Sequence, residues 1–182
     1  MILIVSLCKE KMHELEFVRP IEKIVSSTGK KVVVCGHDKI KNSDLKNASG
    51  VILSGTSLDD FEYLENTKNF LWLKNFKKPV LGICAGMQAI GLVFGGRLVD
   101  DKYIGLSEIN FKETFLGLNG KNKVYFLHNK SILLPEGFAQ FDDGNFPMAF
   151  KHKTKKIYGV LFHPEVYNHE LLKEFVKTSQ KT

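Results

Sequence analysis

The chain has 182 residues, 43% of them hydrophobic, which suffices for one domain with a sizeable core and argues against a second. No stretch approaches the roughly 18–20 uninterrupted apolar residues of a membrane span, and the N-terminal "MILIVSLCKEKMHELEF" turns charged at Lys9 without a signal-peptide cleavage pattern, so a cytoplasmic location is expected. The net charge of +6 comes from scattered lysines without interleaved aromatics, a solvated basic surface rather than a nucleic-acid site, and three cysteines without a CxxC pair exclude a disulfide framework and a zinc cage.

In chain order, "MILIVSL" (1–7), "KVVVCG" (31–36), "GVILSG" (50–55) and "PVLGI" (79–83) are nearly continuous apolar runs, as parallel strands buried on both faces require. Between the first two, Leu15, Val18, Ile21, Ile24 and Val25 recur at helical spacing up to Gly29, and Pro20 either kinks that helix or marks its start. After Cys84, "AGMQAIGLVFGG" has the length of a short helix ended by Gly95 and Gly96. The second half, "GLSEINF", "KVYFLHN", "GFAQFDD", "FPMAFKH" and "KIYGVLF", reads as short strands, and "HELLKEFVK" closes the chain as an amphipathic helix. This order predicts a three-layer α/β domain, flavodoxin-like, spanning residues 1–182, with a mostly parallel central sheet and a small antiparallel appendage.

The chemistry concentrates at two strand ends. Gly82-Ile83-Cys84-Ala85-Gly86 matches the nucleophile elbow, a tight strand-to-helix turn in which small neighbours let one nucleophilic residue adopt a strained conformation. A thiol at a helix N-terminus is favoured as thiolate by the macrodipole and free N–H groups. A buried cysteine used as a small hydrophobe is the competing reading. In "YGVLFHPEV" (158–166), His163 directly follows a strand, and Glu165 two residues on can accept its second N–H and fix its tautomer.

"GICAGMQ" with "GVLFHPE", preceded by "GVILSG", resembles the class I (triad) glutamine amidotransferases, and "KHKTKKIYGVLFHPEV" is most similar to the glutaminase subunit or domain of the GMP synthase branch. The resemblance covers about residues 30–177. It implies a triad of Cys84, His163 and Glu165 that hydrolyses the side-chain amide of L-glutamine and passes ammonia to an ATP-dependent synthetase. By the same resemblance, the oxyanion donors are the backbone N–H of Ala85 and one from the loop "SGTS" (54–57), at Thr56, while Gly55, Gln88 and His128 belong to the substrate pocket. No glycine-rich phosphate loop is present, so coupled ATP chemistry is expected from another chain. No cofactor, metal, nucleic-acid or membrane partner is implied. His13, His37, His152 and His169 lack metal-ligand spacing, and Cys8 and Cys35 read as packing residues.

Three departures from the family pattern stand out. Thr56 and Ser57 replace the usual Gly-Pro, which predicts strain if φ at Thr56 is positive. Lys130 stands where the GMP synthase loop His-x-Asp carries its acid, a reversal of charge beside His128. The segment "SLCKEKMHELEF" lacks a glycine-rich opening after the first strand. A stand-alone amide hydrolase of the same fold and a module that keeps the triad without turnover remain the alternative readings.

Overall fold

The computed structural model describes residues 1–180. Four apolar runs form strands β1 (Ile2–Ser6), β2 (Val32–Gly36), β3 (Gly50–Leu53) and β4 (Val80–Ile83), and a fifth parallel strand, β9 (Ile157–Val160), pairs with β4. The seven-stranded sheet runs β2-β1-β3-β4-β9-β8-β7, with β8 (Ala149–His152) antiparallel to β9 and β7 (Phe138–Gln140) antiparallel to β8. β1, β3, β4 and β9 are buried along their whole length, which is why their sequences lack the alternation of half-exposed strands.

The expected first helix is broken in two. A short turn leads into α1 (Glu14–Phe17), and α2 (Arg19–Ser26) begins afresh with Pro20 in its first turn, where the missing N–H costs nothing. Pro20 therefore marks a start. α2 buries Ile21 and Val25, and the closing helix α6 (His169–Thr178) buries Leu171, Leu172, Phe175 and Val176. Two short helices, α3 (Asn42–Asn47) and α4 (Glu62–Glu65), are absent from the sequence reading because they carry too few turns for a period to register.

The second half departs most from expectation. Segments expected as short strands belong to one long hairpin, β5 (Arg97–Phe115) against β6 (Leu118–Leu133), turning at Leu116-Gly117, both with positive φ. The hairpin forms a two-stranded sheet of its own, antiparallel, and leaves register between Asp100 and Tyr103 through a bulge. Towards its turn the hairpin packs Phe111 and Phe115, and further along Phe126, against Tyr158 of β9 and Phe162 just beyond it. The helix α5 (Ala85–Val93) follows β4 and is buried at every position except Leu92.

One carboxylate holds the turn between β7 and β8. Asp142 is fully buried, and its oxygens accept from the N–H groups of Gly144, Met148 and Ala149 and from Gln140 Nε2 at 2.8–3.0 Å. Asp142→Ala strips four donors of their acceptor and should lower the unfolding free energy by about 2–4 kcal/mol. Urea denaturation checks this; a loss under about 0.5 kcal/mol would mean that water replaces the carboxylate at no cost.

Candidate active site

Parallel pairing of β4 with β9 sets Ile83 opposite Val160, so the chain leaves both strands at the same edge of the sheet. Cys84 N–H donates to the Val160 carbonyl at 2.8 Å, and His163 lies three residues beyond that carbonyl. Cys84 itself has φ 48° and ψ −105°, a conformation that a side-chain-bearing residue adopts at a cost of about 1–3 kcal/mol. Its flanking glycines are sterically required. A Cβ at Gly82 would lie 2.5 Å from the Gly86 carbonyl group, and one at Gly86 would strike the backbone and side chain of Leu53 on β3.

His163 and Glu165 are almost fully buried, and His163 Nδ1 meets Glu165 Oε1 at 2.7 Å. That contact leaves Nε2 facing the thiol side, 3.4 Å from the Leu127 carbonyl, and Cys84 Sγ approaches the same carbonyl at 3.5 Å. The Cys84 sulfur is itself within hydrogen-bonding reach of the imidazole. Burial alone would push His163 toward the neutral form, but the Glu165 carboxylate and the Cys84 sulfur together outweigh it and hold its pKa well above the usual value. The imidazole packs at 5.6 Å from the Phe17 ring and lies flush against Gly55, where a Cβ would come within 2.7 Å of its Cε1. Gly55 thus makes room for the histidine.

The structure brings the remaining sequence-predicted residues around the same thiol. Ala85 opens α5, so its N–H has no partner within the helix. Thr56 faces the void beside Cys84, but not in the strained form expected: Cys84 and Leu116 are the non-glycine residues with positive φ among those described, and Thr56 is not one. Its hydroxyl instead donates to Asp60 Oδ2 at 2.6 Å, an oxygen that also accepts from Lys9 N–H. A buried acceptor four residues on, rather than backbone angle, explains a threonine here.

Gln88 points into the site with both ends of its amide engaged: Oε1 accepts from the Tyr63 hydroxyl and Nε2 donates to the Lys130 carbonyl at 2.7 Å. Lys130 extends away from the thiol to Asp100 Oδ1 at 2.8 Å and hangs 5.7 Å from the Phe61 ring centre. The reversed charge at this position is thus matched by an aspartate across the hairpin. His128 is buried beside the thiol, with Nε2 3.4 Å from Asp101 Oδ2. Burial, reinforced by the nearby His163, pulls its pKa below the usual value despite the Asp101 carboxylate.

Sequence reasoning missed the residues that close the pocket. Asn129 Nδ2 donates to the Leu58 carbonyl at 2.8 Å, which ties the segment 56–63 to the hairpin beside Cys84, and Tyr63 caps Gln88 of α5. Asn129 lies in β6 and Tyr63 in the short helix α4, and neither belongs to a period or spacing that would single it out. The void that remains beside Cys84 measures about 10 Å³, room for one water-sized molecule. A larger cavity of about 710 Å³ lies instead at the ends of β1 and β2, lined by residues including Cys8, Cys35 and His37. Among the described residues, no group of three or more His, Cys, Asp and Glu side chains is placed to hold a metal ion, and no helix is long and apolar enough to cross a membrane.

The chain is similar to known proteins in sequence and in fold. The GMP synthase of Staphylococcus saprophyticus is 35% identical over 156 residues, which cover 78% of this chain but 30% of that protein. A separate glutamine-hydrolysing GMP synthase subunit from Archaeoglobus fulgidus is 33% identical over 150 residues, covering 75% of this chain and 79% of that protein. The crystal structure of a protein from Thermoplasma acidophilum, described as the same GMP synthase subunit, superposes with a TM-score of 0.87 at 26% identity, over 99% of this chain and 94% of that one. A glutamine amidotransferase from Thermotoga maritima shares the fold at a TM-score of 0.72 and 19% identity, over 99% of this chain and 83% of the other. The family model "Glutamine amidotransferase class-I" matches residues 13–180, and the chain belongs to the class I glutamine amidotransferase family.

Proposed function

We propose that this chain hydrolyses the side-chain amide of L-glutamine at Cys84 and delivers the ammonia to a separate ATP-dependent synthetase of the GMP synthase kind. The observation that carries the reading is the convergence of a strained elbow thiol, a buried imidazole and a buried carboxylate at one sheet edge, in a chain of this family. The chain spans about a third of the length of the GMP synthases it matches, and most of the separate glutamine-hydrolysing subunit.

The chemistry follows from the geometry. The Cys84 thiolate attacks the carboxamide carbon, and the oxyanion that forms is met by N–H groups fixed beforehand at Ala85 and Thr56. His163 Nε2–H protonates the amide nitrogen, the C–N bond breaks, and ammonia leaves behind a γ-glutamyl thioester. His163, now neutral, takes a proton from water as its oxygen attacks the thioester, and glutamate departs with the thiolate restored. Glu165 holds the tautomer and stabilises the imidazolium at each charged stage. Gly55 and Gln88 shape the pocket, with His128 in its wall.

Glutamine does not fit a void of about 10 Å³, so the segment 56–63 must lift before substrate enters. The isolated chain is therefore a slow glutaminase, and a docked synthetase accelerates it by favouring the open loop. A stand-alone hydrolase would show full activity without any partner, and a module without turnover would release no glutamate at all.

Cys84→Ala should abolish glutamate release while leaving the unfolding midpoint near that of the parent, since the deleted atom is small. Activity within about tenfold of the parent would remove Cys84 from the mechanism, because a covalent nucleophile and its acid–base partner account for far more than that.

The pH dependence has a definite sign. His163 must be protonated to expel ammonia, and its raised pKa means that activity is lost as pH rises through a value well above 6.5, rather than in the range of about 6–7 expected of an unperturbed histidine. Glu165→Gln removes a raising influence, so the alkaline limb of its kcat/KM profile should move to lower pH. A limb that stays in place would show that Glu165 does not set the charge on His163.

Loosening the closed loop should also be measurable. Asn129→Ala removes the Leu58 tie, worth about 1 kcal/mol, and should raise the basal glutaminase rate of the isolated chain by about fivefold. A reduced rate would mean that the tie positions substrate instead of excluding it.

A further inference from the structure

The void beside Cys84 has one acid in its wall. Among the described residues that line it, Asp60 alone carries a carboxylate; the other polar groups are hydroxyls, amides, the thiol and the imidazole of His128, which burial holds toward its neutral form. Asp60 stands in the segment 56–63 and is only 6% exposed. Its charge and the thiol flank one group, the Tyr63 hydroxyl, whose pKa is raised first by burial and then by Cys84 and Asp60 in turn.

Asp60 accepts hydrogen bonds but meets no cation. Oδ2 accepts from the Thr56 hydroxyl and from the Lys9 N–H, both at 2.6 Å, and Oδ1 accepts from the Glu62 N–H at 3.3 Å. All of these donors are neutral, and no ion pair among the described residues includes Asp60. A carboxylate taken out of water is costly unless a countercharge joins its hydrogen bonds. The two short bonds would be accepted as well by the carbonyl oxygen of an asparagine, so fastening the loop does not call for a negative charge. The charge is left for something that enters the void.

Resting on the glutaminase reading, we infer that Asp60 is a specificity-determining residue, the carboxylate that receives the α-ammonium group of L-glutamine. With its carboxamide carbon at Cys84, glutamine carries a few bonds away a compact cation with N–H donors, the kind of group that the wall lacks. When the segment 56–63 lifts to admit substrate, the bonds of Asp60 to Thr56 and Glu62 travel with it, since both partners belong to the same segment. The Lys9 bond reaches back to the chain after β1 and is the one given up, and the ammonium takes its place on Oδ2. An amide without that ammonium leaves the buried carboxylate short of a partner, and a site with an unpaired polar group rejects such a ligand.

Two measurements test this, with glutaramate, which is glutamine without its α-amino group, as the probe. In the first, ammonia release from each amide gives a ratio of kcat/KM values. The parent should favour glutamine by about 100-fold, and Asp60→Asn, which keeps the size and an acceptor but not the charge, should bring the ratio below about tenfold, chiefly by losing activity on glutamine. A residue that only fastens the loop would slow both amides equally; an unchanged ratio in Asp60→Asn, or a parent that prefers neither amide, overturns the assignment. In the second, both ligands are titrated by calorimetry into Cys84→Ala, which binds without turnover and leaves Asp60 intact, so that the result stands even where Asp60→Asn does not fold. Glutamine should bind at least about tenfold more tightly than glutaramate; equal affinities, or no binding of glutamine, overturn the assignment. A parent that releases no glutamate, beside a Cys84→Ala variant that still prefers glutamine, sinks the glutaminase reading alone.

Discussion

The site depends on the pairing of β4 with β9 in parallel. Had the two strands run antiparallel, Cys84 and His163 would leave the sheet at opposite edges; in parallel register both emerge together, tied by Cys84 N–H to the Val160 carbonyl. The proposed triad then lies within about five residues of that bond. The elbow strain at Cys84 is tolerated because its surroundings over-determine it: the pairing fixes the strand, Gly82 lets Gly86 close the turn, and Gly86 lets α5 press against Leu53.

Electrostatics reinforce the geometry. Burial of the His163 imidazole would ordinarily expel its charge, yet a carboxylate on one side and a sulfur on the other reverse the balance. The same residue is seated mechanically, between the Phe17 ring and the space that Gly55 leaves. An ion pair hidden from water in this way is held by shape as much as by charge, and the neighbouring His128, without so close a partner, shifts in the opposite direction.

The hairpin serves the site as well as the core. β6 supplies the Leu127 carbonyl to thiol and imidazole, His128 to the pocket wall, Asn129 to the loop tie and the Lys130 carbonyl to Gln88, four successive residues on one strand. Movement of this strand or of the segment 56–63 would alter all these contacts together, which gives a docked partner a single element to act upon. The bulge between Asp100 and Tyr103 is what lets Asp101 face His128.

The parallel sheet, the family and the positions of Cys84, His163 and Glu165 were legible along the chain because their signals are local: continuous apolar runs, a G-x-C-x-G turn, a histidine at a strand end. The long hairpin was not, since its strands are half exposed and interrupted by charges, nor was the conformation at Thr56, which Asp60 settles through a side-chain bond. It took the folded chain to show that the reversed charge at Lys130 meets Asp100, that Gly55 clears room for an imidazole 108 residues away, and that the loop closes over the thiol. Such contacts join residues far apart in the chain, and no period or spacing along a sequence encodes a distance measured across a fold.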